Sequence, residues 1–253
     1  MIFDTHAHYD DEQFDEDRDE LLKSMSDLGV GTIVDVSATY ESCEKVLALA
    51  GKYPYVYAAI GVHPDEVGEL NEDKIQHMKE LCRNKKVVAV GEIGLDYYWD
   101  NEPHEVQQKW FIRQLKLAGE VKKPVIIHSR EAAADTMYIM KNYAQGLGGV
   151  IHCYSYSREM AEEYVKMGFY IGIGGVVTFK NAKKLKDVAA AIPIEKIVLE
   201  TDCPYMAPEP YRGKRNQSSY IRYVAEKIAE LKEMSPEEVI AVTEKNAREL
   251  YGI

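Results

Sequence analysis

The sequence predicts a single-domain (β/α)8 TIM barrel, and three observations support this fold class. Eight short apolar runs are each followed by a segment with helical features. Most of these runs are continuously apolar rather than alternating, as expected of parallel strands that are buried on both faces. Side chains of the metal-binding types stand at the ends of five of the runs, and the C-terminal ends of barrel strands share one mouth. We therefore expect one domain over residues 1–253.

Length and composition agree with this interpretation. The chain has 253 residues, of which 46% are hydrophobic and 29% are charged, and about 250 residues is the usual size of such a barrel. We find no secretory signal and no apolar run near the ~20 residues of a membrane span. The cysteines, at positions 43, 82, 153 and 203, stand far apart and read as reduced thiols. We therefore expect a cytoplasmic protein without membrane contact.

The predicted strands are spaced as in repeated βα units. They cover residues 2–4, 32–36, 56–60, 87–90, 124–127, 149–151, 170–173 and 196–199. Successive strands begin roughly 20 to 40 residues apart, which leaves room for one helix in each connection. A doubly wound open sheet would give a similar pattern, so the spacing alone does not choose between the two folds.

The segments between the strands carry apolar stripes at helical spacing. One stripe comprises Val106, Trp110, Phe111, Leu115 and Ala118, and another comprises Ile221, Val224, Ile228 and Leu231. Such a stripe is typical of a helix that packs one face on a core. The last helix is predicted to begin at Ser235, which can form a capping box with Glu238.

Six residues with metal-binding side chains lie at the C-terminal ends of strands one, four, five, six and eight. They are His6, His8, Glu92, His128, His152 and Asp202. His6 and His8 stand two residues apart, so both imidazoles point to one face of an extended chain. In a closed barrel all six would line one mouth, whereas in an open sheet the first and last could lie far apart. The positions of these residues therefore favour the barrel.

Imidazole and carboxylate ligands without thiolates suit two divalent ions such as Mg²⁺, Mn²⁺ or Zn²⁺. Two ions can activate water and clamp the oxygens of an in-line displacement. Glu92 is our candidate for the ligand that bridges the ions. Asp202 could orient or deprotonate the water, coordinate an ion, or do both. Glu200, two residues earlier, reads as a buried partner of the ligands or equally as part of an ion pair inside the barrel.

The motifs around these residues resemble the TatD family of metal-dependent deoxyribonucleases, within the amidohydrolase-like barrels. The segments that carry the resemblance are FDTHAH at 3–8, GVHP at 61–64, GEIGLDY at 91–97, PVIIHSR at 124–130, LETD at 199–202, RGKRN at 212–216 and NARELY at 246–251. They span the length of the chain in the family's order. One departure is Asn216-Gln217-Ser218, where the family more often has a glutamate and a proline after the asparagine.

The resemblance implies specific roles for the six ligand candidates. His6, His8 and Asp202 would serve one metal ion, His128 and His152 would serve the other, and Glu92 would bridge the two. Members of the family cleave DNA, often from a 3′ end, with Mg²⁺ or another divalent ion. Some relatives resemble deacylases that remove D-amino acids from tRNA. Amidohydrolase barrels that cleave esters or amides often carry a carboxylated lysine after strand four, and Glu92 at this position favours the nuclease.

Candidate substrate contacts lie near the expected mouth. Arg212, Lys214 and Arg215 form a small basic cluster after strand eight that would suit phosphate binding. Arg130 and His63, at the ends of strands five and three, are similar candidates. The aromatic residues 97–99 could stack on a base, with packing around the rim as the alternative. We expect DNA as a transient partner and tRNA as a second candidate.

Two alternatives to a deoxyribonuclease stay open at this point. The same metal centre could serve a deacylase or a lactonase, and a non-catalytic metal-binding or scaffold protein could keep the ligands without turnover. The formal net charge of −11 argues against a protein that coats nucleic acid, because such proteins present basic surfaces. A brief contact through cations in a cleft is compatible with this charge. No obligate protein partner is evident.

Overall fold

The computed structural model of the protein describes residues 1–99 and 101–253. The strands are β1 (Ile2–Ala7), β2 (Val30–Val36), β3 (Val56–Ile60), β4 (Val87–Asp96), β5 (Val125–Arg130), β6 (Gly149–Ile151), β7 (Tyr170–Ile173) and β8 (Ile197–Leu199). Each predicted run therefore corresponds to a strand.

The α-helices alternate with these strands. They are α1 (Arg18–Ser24), α2 (Ser42–Lys52), α3 (Glu72–Leu81), α4 (His104–Val121), α5 (Ala133–Tyr143), α6 (Arg158–Lys166), α7 (Lys183–Ala191), α8 (Ile221–Lys232) and α9 (Pro236–Tyr251). Both predicted apolar stripes lie on helices, on α4 and on α8. The capping box at the start of α9 is present, with Ser235 and Glu238 each accepting the other's backbone N–H. Among the helices that the structure describes, we find no candidate for a membrane span.

The strands form one sheet in the chain order β1 to β8. The first and last strands are also neighbours, because Ala7 forms a parallel bridge with Cys203, just after β8. The hydroxyl of Thr5 donates to the carbonyl of Leu199 at 3.0 Å. Eight parallel strands that alternate with helices and join the last strand to the first are a (β/α)8 barrel. The predicted fold class is confirmed, and the open sheet is excluded.

The described residues divide by packing into two compact units, Met1–Val34 with Cys153–Ile253 (unit 1) and Asp35–His152 (unit 2). In unit 1, α9 packs on β1: the ring of Tyr251 stacks on Phe3 with centroids 6.0 Å apart, and its hydroxyl donates to the carbonyl of Thr5 at 2.9 Å. The assignment of residues 1–253 to one domain stays a prediction.

In unit 2, two buried glutamines on α4 hold the ends of neighbouring strands. Gln114 accepts from the N–H of Val62 and donates to its carbonyl, at 2.9 and 3.1 Å. Gln107 makes the same pair of bonds to Asp96, both at 2.9 Å. Backbone groups at the ends of β3 and β4 thus find partners away from water. The segments after these two strands are fixed in place by one helix.

Strand β4 is longer than predicted, so Glu92 lies inside it and does not follow it. The predicted strand covered residues 87–90, with Glu92 after it. The backbone nevertheless continues to pair with β5, with Gly94 opposite His128 and Asp96 opposite Arg130. All ten residues of β4 are buried. The polar side chains of this strand therefore face other polar groups in the interior and do not mark its end.

Candidate metal centre

The first cluster of candidate ligands comprises His6, His8 and Asp202, all in unit 1. The Nε2 atoms of the two imidazoles are 3.1 Å apart. They lie 3.7 and 3.4 Å from the same oxygen, Oδ1 of Asp202. Three Lewis-basic atoms at this spacing can share one cation, which is the arrangement that a divalent-metal site requires.

The backbone brings the members of the first cluster together. The N–H of Asp202 donates to the carbonyl of His6 at 2.9 Å, and the N–H of His8 donates to the carbonyl of Cys203 at 2.8 Å. Asp202 itself has a positive φ of 59°, a conformation that aspartate tolerates better than most residues. The ladder between β1 and the segment after β8 therefore turns the Asp202 side chain towards the histidines.

Asp4 holds the backbone on both sides of this cluster, and no role was predicted for it from the sequence. Its carboxylate accepts from the N–H groups of His6 and Thr201 at 3.2 and 3.0 Å. It also accepts from the hydroxyls of Thr201 and Ser218, both at 2.6 Å. Burial raises the pKa of Asp4 to about 6, although these hydrogen bonds oppose the shift. Ser218, which lies where the sequence departs from the family's more usual residues, thus contacts the buried Asp4 carboxylate.

Asn216 holds the same loop through the backbone. Its side-chain amide donates to the carbonyls of Thr201 and Tyr205 at 2.9 and 2.8 Å. Thr201 precedes the candidate ligand Asp202, so Asn216 fixes the main chain that carries this carboxylate. A buried amide that satisfies two carbonyls is a structural role, and it accounts for the asparagine of the RGKRN motif.

The second cluster comprises Glu92, His128 and His152, all in unit 2. Oε2 of Glu92 lies 3.5 Å from Nδ1 of His128 and 3.2 Å from Nε2 of His152. The two ring nitrogens are 3.4 Å apart. All three side chains are largely buried, with His128 the most exposed at 16%. This second triangle of two imidazoles and a carboxylate has the same donor chemistry as the first.

Asp96 orients His128, and the sequence did not single it out. Oδ2 of Asp96 lies 3.0 Å from Nε2 of His128, so Nδ1 is left to face Glu92 and His152. A carboxylate on the far nitrogen of a ligand histidine fixes the ring and its tautomer. Burial alone would lower the pKa of His128, but the hydrogen bonds and charges of Asp96 and Glu92 raise it to about 9. The cluster thus stabilises positive charge at its centre.

The stability of the metal-free protein should therefore fall as the pH rises from about 6.5 to about 9. The pKa of His128 is about 9 in the folded protein and 6.5 for an ordinary histidine. Between these values the folded state keeps a proton that the unfolded state has lost. The stabilisation is complete below pH 6.5 and is lost as the pH rises through 9. Urea unfolding at a series of pH values measures this slope.

The variant Asp96→Asn provides the control. The buried thiols of Cys43 and Cys82 also weaken stability at high pH, because burial raises their pKa to about 11 and 12. These cysteines are unchanged in the variant, whereas the pKa of His128 should fall without the Asp96 carboxylate. We expect the slope between pH 6.5 and 9 to shrink. An unchanged slope would show that Asp96 does not stabilise protonated His128.

His63 lies beside the second cluster. Its ring centroid is 4.3 Å from that of His128, and its Nδ1 accepts from the N–H of Asp65 at 3.2 Å. Burial and the neighbouring charge of His128 lower the pKa of His63 to about 3. His63 is therefore a neutral imidazole whose Nε2 can donate a hydrogen bond. Its use as a substrate contact stays a prediction, and the structure places it suitably for this role.

Glu200 is fully buried in unit 1. Its Oε1 accepts from the N–H of Cys153, the residue after His152, at 2.5 Å. Gly172 makes room for this carboxylate, since a Cβ there would lie 2.4 Å from Oε2. Cys153 has a positive φ of 46°, and the hydrogen bond that its N–H donates to Glu200 holds the backbone at this residue. A positioning role for Glu200 is consistent with these contacts.

The three residues of the predicted basic cluster differ in their contacts and are not equally available to a phosphate. The guanidinium of Arg215 contacts both carboxylate oxygens of Asp17, at 2.8 and 2.5 Å. That of Arg212 lies over the ring of Phe179, 4.2 Å from its centroid, and Lys214 is exposed. Arg215 is thus already engaged in tying two segments of unit 1 together. Phosphate contacts from these three residues stay predictions, with Arg212 and Lys214 the better placed.

The comparisons with known proteins cover the whole chain. The family described as TatD related DNase matches residues 3–252. The uncharacterized metal-dependent hydrolase YabD of Bacillus subtilis (strain 168) is 46% identical over 254 residues, which cover 100% of both chains. The uncharacterized metal-dependent hydrolase YcfH of Escherichia coli (strain K12) is 37% identical over 257 residues, covering 100% of this chain and 96% of its own.

The chain is also similar to a solved structure over its full length. The crystal structure of YjjV, a TatD homolog from Escherichia coli K12, matches with a TM-score of 0.93 and 34% identity, covering 100% of this chain and 98% of the other. The similarity therefore extends over the complete barrel and is not confined to the ligand motifs.

Proposed function

Because the chain belongs to the TatD-related DNase family and is a metal-dependent hydrolase, we propose that it hydrolyses phosphodiester bonds of DNA. The resemblance that the motifs indicated is confirmed by the family match. The single observation that carries the proposal is the pair of imidazole–carboxylate triangles, with no thiolate in either. Such donors hold the hard or borderline divalent ions that phosphoryl chemistry uses.

In this proposal His6, His8 and Asp202 would hold one divalent ion, and Glu92, His128 and His152 would hold another. Mg²⁺, Mn²⁺ and Zn²⁺ all accept this donor set, and their availability decides which is used. When bound, two such ions supply positive charge that acidifies water and stabilises the oxygens of the phosphate. Asp202, with its side chain 19% exposed, accepts the proton of the attacking water.

The remaining side chains bind and orient the phosphate. Neutral His63 donates from Nε2 to a phosphate oxygen, and the guanidinium of Arg130 offers two parallel donors. Arg212 and Lys214 would contact phosphates further along the strand. Only a few cations are needed, because the contact is transient and the net charge of −11 opposes tight general binding.

We also propose that the enzyme acts in the cytoplasm, because its four cysteines stand far apart in the sequence, as is typical of reduced thiols.

A deacylase of D-aminoacyl-tRNA is the second candidate, since the same ions could activate water against an ester. Glu92 occupies the position where ester- and amide-cleaving barrels of this type often carry a carboxylated lysine. A glutamate leaves two oxygens that can each serve one ion without a prior modification. This residue is the specific reason to prefer phosphodiesters over esters as the substrate.

The test uses single-stranded DNA labelled at its 3′ or its 5′ end, with Mg²⁺, Mn²⁺ or a chelator. We expect metal-dependent shortening from the 3′ end, so that the 3′ label is released first. Charged tRNA is treated in parallel under the same conditions. Release of the amino acid from tRNA with intact DNA would overturn the nuclease and support the deacylase.

A further inference from the structure

Two large aromatic side chains directly after β4 are exposed next to each other. Tyr98 is 49% exposed and Trp99 is 58% exposed. Their rings meet edge to face with centroids 5.0 Å apart. Neither ring takes part in the two ligand clusters, and both present much of their surface to solvent.

Arg130 adds a positive charge to this aromatic pair. Its guanidinium carbon lies 3.8 Å from the ring centroid of Tyr98 and 5.4 Å from that of Trp99. A guanidinium over an aromatic face is attracted by the ring's negative face. Arg130 stands two residues after His128 on β5, so the two side chains leave the strand on the same side.

One carboxylate connects the aromatic pair to the second cluster. Oδ1 of Asp96 accepts from the N–H groups of Tyr98 and Trp99 at 2.8 and 3.2 Å. Oδ2 of the same residue lies 3.0 Å from Nε2 of His128. The backbone that carries the exposed rings is therefore fixed with respect to a candidate metal ligand.

We propose that Tyr98, Trp99 and Arg130 form a stacking subsite for a nucleobase of single-stranded DNA. This inference rests on the proposed function, because it places a base beside the phosphate that is to be cleaved. Stacking on aromatic rings next to a cation is the usual way in which proteins bind single strands without reading their sequence. The subsite accepts any base, since every base has a flat π face.

The subsite also explains how an acidic protein binds a polyanion. With a net charge of −11, counterion release contributes little to affinity away from the metal ions. Stacking supplies binding free energy that does not depend on a basic surface. The same logic favours strands whose bases can leave their stack, such as single strands and frayed ends, because neighbouring bases cover both faces of a base inside a duplex.

The first experiment measures steady-state cleavage of a short single-stranded oligodeoxynucleotide by Tyr98→Ala and Trp99→Ala. We expect KM to rise about tenfold, as the loss of one stacked base implies, while kcat stays close to that of the wild type. Trp99→Phe keeps a ring and should recover most of the affinity. The control is Tyr138→Ala, which removes a tyrosine of unit 2 that is 65% exposed on α5, and it should behave as the wild type.

An abasic strand of the same length separates stacking from phosphate binding. The wild type and the alanine variants should cleave this strand with equal KM, because it offers no base to the rings. If DNA is cleaved and the alanine variants show the wild-type KM on the base-bearing strand, the subsite is wrong although the nuclease stands.

Fluorescence tests the subsite even if DNA is not hydrolysed. Trp99 is exposed, whereas Trp110 is only 6% exposed, so stacking should quench mainly the emission of Trp99. On rapid mixing of the protein with Mg²⁺ and the oligodeoxynucleotide, we expect a quench before any product forms. It should disappear in Trp99→Phe and with the abasic strand. This result without cleavage would support the subsite while refuting the proposed nuclease.

Absence of the quench would overturn the inference. The pair would then be assigned to contact with a second copy of the chain if the wild type sediments as a dimer and Trp99→Ala as a monomer.

Discussion

The variant His128→Ala should lose metal-dependent DNA hydrolysis by about 10³-fold or more, because it removes a ligand around which the second cluster is built. Nδ1 of His128 lies within 3.5 Å of both other members of that cluster. Its loss would also leave the Asp96 carboxylate buried without its histidine. We expect the variant to fold, since an alanine is accommodated in β5, and to bind fewer divalent ions than the wild type.

The matched control is His77→Ala. His77 is a histidine of the same unit, but it lies on α3 and its partners are the hydroxyl of Tyr40 at 2.8 Å and the carboxylate of Glu44 at 3.6 Å. Its replacement should leave both turnover and metal content unchanged. Initial rates on labelled DNA and metal analysis of the purified variants measure the two effects. If the two variants had comparable activity, His128 would not be part of the catalytic centre.

The second large effect is expected in Gly94→Ala. A Cβ at this position would lie 1.8 Å from the carbonyl oxygen of His128, and φ is +154°, where only glycine is relaxed. Strands β4 and β5 would have to separate at His128, the candidate ligand on β5. We expect a loss of about 3 kcal/mol or more in the free energy of unfolding, measured by urea denaturation.

Gly146→Ala separates strain of the backbone from the steric clash. Gly146 also has a positive φ, of +78°, but no atom lies within 4 Å of a Cβ built there. This variant should lose only about 1 kcal/mol. If both variants lost the same free energy of unfolding, the steric clash between β4 and β5 at His128 would contribute nothing to the effect of Gly94→Ala. A folded Gly94→Ala protein should in addition bind metal more weakly.

The strands were predictable because buried parallel strands leave continuous apolar runs in the sequence. Candidate ligands could also be named from the sequence, since metal-binding side chains that follow such runs at the ends of several strands have one natural place in a barrel; their binding of metal stays a prediction. The family motifs reinforced this assignment for His6, His8 and Asp202. What the pattern could not give is where β4 ends, because Glu92 and Asp96 look like surface carboxylates until their partners are known.

The supporting residues were missed because their partners are distant in the sequence. Asp96 meets His128 across 32 positions, and Asp4 meets Ser218 across 214. No local spacing rule links such pairs. Arg215 shows the opposite error: its position in a basic run favoured a phosphate contact, whereas its guanidinium holds Asp17, 198 positions away. The buried residues Gln107 and Gln114 were missed for the same reason, although they lie on α4 next to its apolar stripe.

We propose that the two clusters hold the divalent ions with which this chain hydrolyses DNA. The most direct test is to strip the protein with a chelator and titrate it with Mn²⁺ while measuring both bound metal and the rate of DNA cleavage. We predict no cleavage without metal, and a rate that rises until both clusters are filled, at two ions per chain. Cleavage that persists in the stripped protein, or full metal loading without any cleavage of DNA, would contradict the account.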